Sequence, residues 1–179
     1  MDIKSAQQDV RSAYLRGSVA QTIMGMFWLG SAALGTWVSE YAAILIMVIA
    51  IAVTFPLTLL TLHILGRPMG LPGAHPMNQL IFQIALIIPL SLFLIGPISL
   101  YNLNWFFPAL TFVMGMHYIL FIFLYGMWEF GVLAVVLLTG GIAIGLVFPN
   151  TFPLGGWFTG IVLVLFALMV QRPMRFMQK

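Results

Sequence analysis

The stretch from Trp105 to Glu129, WFFPALTFVMGMHYILFIFLYGMWE, decides the fold of this chain. It is apolar over a length that crosses a membrane as a helix, because a bilayer core about 30 Å thick takes roughly 20 apolar residues. One ionisable side chain, His117, lies inside it. We therefore predict a transmembrane helix that holds an imidazole within the membrane.

The composition extends this interpretation to the whole chain. Hydrophobic residues make up 62% of the 179 residues and charged residues 6%, whereas a soluble domain carries roughly 25% charged residues. The apolar runs are continuous and do not alternate in polarity, which favours helices over the strands of a barrel. The basic residues are not grouped as a nucleic-acid site requires, so no nucleic-acid partner is expected. The absence of Cys excludes disulfides and thiolate chemistry.

The predicted fold is all-α, a polytopic transmembrane bundle of six helices with a short N-terminal interfacial helix. We assign residues 1–16 to the interfacial helix, 17–171 to the transmembrane domain and 172–179 to a basic cytoplasmic tail. The apolar runs place the spans at about 18–38, 42–65, 77–100, 105–129, 132–148 and 154–171.

An amphipathic pattern in residues 2–16 predicts the N-terminal helix. Its apolar side would carry Ile3, Ala6, Val10, Ala13 and Tyr14. Such a helix would lie at the membrane surface, although a frayed cytoplasmic tail is an equal alternative. Gly17 follows as a candidate stop or hinge.

The basic residues predict the orientation. With six spans, all seven Lys and Arg residues fall on one side of the membrane, namely Lys4, Arg11, Arg16, Arg67, Arg172, Arg175 and Lys179. Positively charged loops stay inside, so both termini should be cytoplasmic in a plasma membrane protein whose first partner is the lipid bilayer.

Pairs of glycines in the last two spans predict close helix packing. Gly141 with Gly145, and Gly156 with Gly160, have the spacing that lets two helix backbones approach each other. These Gly-rich faces could pack against neighbours in the same chain or form a homo-oligomer.

Polar residues predict a cleft in the cytoplasmic half of the bundle. Polar groups in lipid are costly unless they meet each other or water. The candidate ligand-binding residues are His117, Gln83, Tyr118, Gln21, Gln79 and His63. The alternative for His117 is a neutral imidazole that bridges two helices, to Gln83 or to a carbonyl freed by Pro89.

Charged residues at the membrane surface suggest structural contacts. Glu129 would lie within reach of Arg16, Arg67 or Arg172 and form an interfacial ion pair with one of them. The His and Glu residues lack metal-ligand spacing, so no metal site is predicted. No nucleotide-binding or hydrolase motif is present, so no cofactor is predicted and no residue is assigned as catalytic.

Three functions remain open from these residues. The leading one is a small-molecule transporter or binder with a cytoplasm-facing cleft around His117, whose ligand is a small apolar or weakly polar molecule or a lipid. The second is an intramembrane enzyme acting on lipid or isoprenoid head groups, with His117 or His63 as base and Arg67 holding phosphate. The third is a non-catalytic membrane partner subunit. Whether the chain is an enzyme is undecided.

Four stretches resemble a known group of proteins. They are AQQDVRSAYLRGS (residues 6–18), LHILGRP (62–68), WFFPA (105–109) and MHYILFIFLYGM (116–127). They are similar to stretches in small bacterial multi-pass proteins grouped as a family of unknown function. The resemblance implies the same fold class and a bacterial plasma membrane, and it implies no activity.

Overall fold

The computed structural model describes residues 2–171. Seven α-helices and two short 3-10 turns make up this part of the chain, and no strand occurs in it. The helices are α1 (Ile3–Ala13), α2 (Ser18–Trp37), α3 (Glu40–Ile64), α4 (Asn78–Tyr101), α5 (Phe106–Tyr125), α6 (Glu129–Val147) and α7 (Leu154–Gln171). The all-α prediction is confirmed. The predicted basic tail, residues 172–179, lies outside the described residues.

Five helices, α3 to α7, are long and apolar enough to cross a membrane. The chain is therefore a multi-pass membrane protein. We predicted six such helices, and α2 accounts for the difference. It has 20 residues, but Gln21, Thr22, Ser31 and Thr36 together with several glycines reduce its mean hydropathy. α2 is long enough to cross a membrane, but its mean hydropathy is lower than that of the other five helices.

Glycines bring the helices of the bundle close together. On α7, Gly156 faces Ala32 and Gly160 faces Leu29, so α7 packs tightly against α2. On α6, Gly141 lies against the backbone of Phe112, which joins α6 to α5. The predicted close packing therefore takes place within the chain. The homo-oligomer that we considered stays a prediction.

Buried hydroxyl groups link helices across the same interfaces. The Oγ1 atoms of Thr111 and Thr159 are 2.7 Å apart and join α5 to α7. Ser31 donates a hydrogen bond of 2.6 Å to the carbonyl of Ala43, which joins α2 to α3. A buried hydroxyl is tolerated in an apolar bundle when a partner on another helix satisfies it.

One helix stands apart from this close packing. α4 packs against α5 and touches α3 only lightly, and it contains Pro89 and Pro97. Both prolines remove backbone hydrogen bonds and carry rings that prevent straight helical packing. The result is a gap bounded by α2, α3, α4 and α5.

We predict that Gly115→Ala destabilises the bundle by about 1–3 kcal/mol because it overpacks a rigid interface. A Cβ on Gly115 would lie 2.9 Å from the backbone nitrogen of Leu138 and 3.0 Å from the carbonyl oxygen of Ala134. Neither backbone atom can move independently of α6. The free energy of unfolding in detergent measures the effect.

The matched control is Gly96→Ala on α4, where an added Cβ would meet nothing within 4 Å. That variant should unfold at the same or higher denaturant concentration, since Ala favours helix more than Gly does. Equal destabilisation of both variants would show that the α5–α6 interface is not rigid.

Candidate functional site

The gap between the four helices contains a cavity of about 130 Å³. Each helix contributes the half that lies nearest to α1. The lining is mainly apolar and includes Met24, Ile51, Ile84, Ile88, Phe121 and Leu124. A cavity therefore lies in the half of the bundle where we predicted a cleft, but it is less polar than we expected.

Three of the six predicted cleft residues line this cavity, namely Gln21, His117 and Tyr118. The other three do not, because Gln79 and Gln83 are exposed on α4 and His63 is exposed near the end of α3. Residues three or four apart share one face of a helix. On α4 that face carries Ile81, Ile84, Ala85 and Ile88. Polarity and depth suggested the two glutamines, but the helix periodicity turns them away.

Most polar groups in the lining already have partners. The hydroxyl of Tyr118 donates a hydrogen bond to Oε1 of Gln21, and both side chains are buried. Thr54 donates to the carbonyl of Ala50 at 2.6 Å, and Thr58 donates to the carbonyl of Thr54 at 2.7 Å. These hydroxyl protons are therefore used within the protein and are not offered to a ligand.

His117 differs from these residues. It is 9% exposed, and its Nδ1 atom is fully buried without a hydrogen-bond partner in the described part of the chain. Its ring packs against Phe121 at 4.8 Å and Tyr118 at 5.6 Å between ring centroids. The predicted bridge to Gln83 is wrong, because Gln83 points out of the bundle, and no described carbonyl accepts a bond from Nδ1. An unpaired buried polar group needs a physical explanation, and a functional role is one of them.

The N-terminal helix docks on the bundle beside the cavity. The buried face of α1, formed by Ala6, Val10 and Ala13, packs against the end of α5. Ile3, which we had placed on this face, is 46% exposed. α1 is therefore docked on the bundle and is neither a free surface helix nor a frayed tail.

Two polar side chains of α1 hold it there. Gln7 donates a hydrogen bond of 2.6 Å to the carbonyl of Phe123, and Arg11 donates one of 2.8 Å to the carbonyl of Tyr125. α5 ends at Gly126, which has a φ of +60°, and the last carbonyls of a helix need donors from outside it. A guanidinium at a helix C-terminus also interacts favourably with the helix dipole.

A left-handed turn follows α1 and places Tyr14 in the cavity wall. Leu15, Arg16 and Gly17 have φ angles of +47°, +59° and +81°. Two of the three are not glycine, and such residues adopt this conformation only at a cost that the surrounding contacts offset. Tyr14 is 8% exposed, and burial raises the pKa of its hydroxyl, so the group stays uncharged at neutral pH. Gly17 marks the bend, as predicted.

The charged residues lie outside the cavity. Nε2 of His75 and Oδ2 of Asp9 are 3.4 Å apart. Both residues, together with Arg67, line an open groove between α1 and the α3–α4 loop. Within the described residues Glu129 forms no ion pair with Arg16 or Arg67. The predicted ion pair is therefore wrong for these two partners. The third candidate, Arg172, lies outside the described residues. No group of three metal-ligating side chains occurs in residues 2–171.

Sequence reasoning missed the contacts of α1. It treated Arg11 and the other polar residues of this helix as a wet face. One signal was available, because a glycine that ends a membrane helix leaves carbonyls in need of donors, and Gly126 is such a residue. What could not be read was that the donors lie more than 100 residues earlier in the chain.

We predict that Tyr118→Phe destabilises the protein by about 1–3 kcal/mol, because it leaves the buried amide oxygen of Gln21 without a donor. His117→Leu should leave stability unchanged or raise it, because it removes a buried nitrogen that lacks a partner. Thermal unfolding in one detergent compares the two variants. A larger loss for His117→Leu than for Tyr118→Phe would mean that the imidazole holds helices together.

We also predict that Arg11→Ala loosens α1. The chain has no Cys, so a single Cys at the buried position Ala6 reports exposure of this helix. Its labelling by a maleimide should become about tenfold faster with Arg11→Ala, corresponding to roughly 1.4 kcal/mol of lost docking energy. Lys4→Ala is the matched control, since Lys4 is an exposed cation on the same helix and should leave the labelling rate unchanged.

Comparison with known proteins places the chain in a family without assigning it an activity. Residues 3–172 match DUF7010, a family of unknown function. No curated protein and no solved structure matches the chain. Because the match covers nearly the whole sequence, the chain belongs to the DUF7010 family of unknown function.

Proposed function

We propose that this protein binds, and carries across the membrane, a small and largely apolar molecule that occupies the cavity around His117. The observation that supports this proposal is an apolar cavity whose wall includes the buried imidazole of His117. Ligand pockets are typically apolar with a few polar groups that orient the ligand. His117 is the orienting group in this proposal, and Gln21 with Tyr118 forms a satisfied wall beside it.

The entrance in this proposal is the seam between α3 and α4. These two helices contact each other only lightly, and the cavity lining on this side includes Phe55 and Ala85. An apolar ligand concentrates in the bilayer, so a lateral entrance meets it at its highest concentration. The two prolines of α4 supply points where the helix can bend.

We further propose that α2 is a sixth span and that the termini lie in the cytoplasm of a bacterial cell. α2 is as long as the other spans, and it packs between α3 and α7. Its polar residues face partners in the bundle, as Gln21 and Ser31 do, so it need not expose them to lipid. With six spans, Lys4, Arg11, Arg16 and Arg67 all lie on the cytoplasmic side of the plasma membrane.

Single cysteines test this topology. With a membrane-impermeant maleimide on intact cells, a Cys at Val38 should be labelled, whereas one at Ser5 should be labelled only after lysis. Val38 is 69% exposed in the α2–α3 connection, and Ser5 is exposed on α1. Labelling of both positions from the same side would show that α2 does not span the membrane.

Blocking the cavity tests the function. We predict that the wild-type protein, purified in mild detergent, retains an organic-extractable small molecule that mass spectrometry detects, and that Ala85→Phe loses it. Ala85 lines the cavity, and a phenyl ring there would fill much of it. The matched control is Leu86→Phe, on the adjacent outward-facing position of α4, which should retain the molecule.

Identical extracts from wild type, Ala85→Phe and Leu86→Phe would contradict the proposal, because the cavity would then hold nothing specific. Unfolding of each variant in the same detergent serves as a check that Ala85→Phe folds.

The other two functions receive no support from the geometry. A general base needs a group that orients it and a reacting atom within hydrogen-bond distance. Tyr118 beside His117 is committed to Gln21, and Arg67 lies in the groove outside the cavity. A partner subunit that assembles through its glycine faces would need them free, and those faces are covered within the chain. Both functions stay predictions.

A further inference from the structure

The cavity excludes ions by its chemistry. No Asp, Glu, Lys or Arg occurs among the described residues that line it. A charged ligand would therefore enter a low-dielectric space without a counter-ion, and a buried charge is costly unless it is paired. The ligand should be uncharged.

The lining offers few free polar groups to a ligand. Thr54, Thr58 and Tyr118 direct their hydroxyl protons to partners in the protein. His117 is nine-tenths buried, and the surface it retains contributes to the cavity wall. A neutral imidazole carries one donor nitrogen and one acceptor nitrogen. With Nδ1 fully enclosed, Nε2 is the nitrogen through which His117 can meet a ligand. The hydroxyls of Tyr14 and Tyr125 and the amide nitrogen of Gln21 also line the cavity and donate no hydrogen bond within the described residues.

The second buried nitrogen without a partner provides a contrast. Nε1 of Trp28 also lacks a partner, but Trp28 is 0% exposed and does not line the cavity. It packs against Phe107 at 5.7 Å between ring centroids. Of these two residues, only His117 therefore lines the cavity within the part of the chain that the structure describes.

The size and the walls of the cavity favour a flat ring. A cavity of about 150 Å³ lined by aliphatic and aromatic side chains accepts benzene, and the cavity here measures about 130 Å³. Around His117 the ring pairs His117–Tyr118, His117–Phe121 and Phe121–Tyr125 are tilted or edge-on, whereas Tyr118 and Tyr125 stack on Phe130. Aromatic rings prefer edge-on or offset arrangements to perfect face-to-face stacking, so another ring can join the cluster.

We infer that the ligand is a neutral aromatic molecule of about one ring that carries a hydroxyl or N–H group and bonds through that group to the imidazole of His117. This inference rests on the proposed function and specifies the ligand class for the same cavity. Phenol is the simplest molecule of this class. The hydroxyl donates a hydrogen bond to Nε2 of His117, and the ring packs among the aromatic side chains.

Fluorinated probes test this inference in the full-length protein in lipid nanodiscs. Fluorine NMR follows the binding of para-fluorophenol, of fluorobenzene, which lacks the hydroxyl, of para-fluorobenzoate, which is charged, and of a fluorinated hexanol, which has a hydroxyl but no ring. Empty nanodiscs and the Ala85→Phe protein correct for partition into lipid. Leu86→Phe should bind each probe as the wild type does.

The expected result is that para-fluorophenol binds about three- to tenfold more tightly than fluorobenzene, as one added hydrogen bond implies. para-Fluorobenzoate should not bind. His117→Leu should remove the preference for the phenol and leave fluorobenzene binding unchanged. His117→Gln, which retains a donor and an acceptor, should restore part of the preference.

Two outcomes would overturn the inference and leave the proposed function intact. One is equal binding of para-fluorophenol and fluorobenzene to the wild type, which would show that His117 recognises no polar group. The other is binding of the hexanol in preference to both aromatic probes, which would show that the ligand is a chain. Failure of all four probes to distinguish the wild type from Ala85→Phe would overturn both the inference and the proposed function.

Discussion

The absence of water in the bilayer core is the constraint on which this structure depends. A buried hydroxyl or amide in hydrocarbon must find its partner in the protein, and the bundle shows how consistently this is met. Thr111 bonds Thr159, Ser31 bonds the backbone of α3, and Tyr118 bonds Gln21. Nδ1 of His117 and Nε1 of Trp28 are the exceptions among the described residues, and of these two residues only His117 lines the cavity.

The cavity follows from how unevenly the helices pack. Glycines allow α7 to approach α2 and α6 to approach α5, with backbones in contact. α4 has no comparable contact with α3, and Pro89 lies in its cavity-facing wall. Helices pack closely on one side of the bundle, and α4 with its prolines packs loosely on the other. Open space therefore remains between α2, α3, α4 and α5. The same residues that make the bundle rigid therefore determine where it is hollow.

Sequence patterns predicted the elements of this fold better than its site. Apolar run length located α3 to α7 within a few residues of their ends, because bilayer thickness sets helix length. It did not distinguish α2, whose polar residues are compatible with a bundle interior but make it less apolar than the other five.

The site was predicted in part, and the reason is geometric. Depth along each helix placed His117, Tyr118 and Gln21 at one level, and they do meet at the cavity. Depth says nothing about the direction in which a side chain points, which depends on how each helix is rotated against its neighbours. Gln79, Gln83 and His63 lie at suitable depths and point outward for that reason. The contacts of Gln7 and Arg11 with the end of α5 could not be predicted either, because nothing in the sequence of α1 identifies acceptor carbonyls so far along the chain.

That sequence separation has a consequence for biosynthesis. The ribosome completes α1 first, but its receptor, the terminal carbonyls of α5, exists only after residue 126 has been made and inserted. Until then Gln7 and Arg11 have no native partners, and the apolar side of α1 is free to associate with lipid headgroups or a chaperone. Closure of this end of the bundle is thus a late event in assembly, and contacts of such high sequence separation are slow to form. If α1 remained in such an association, the spans would be inserted but Tyr14 would be missing from the cavity wall.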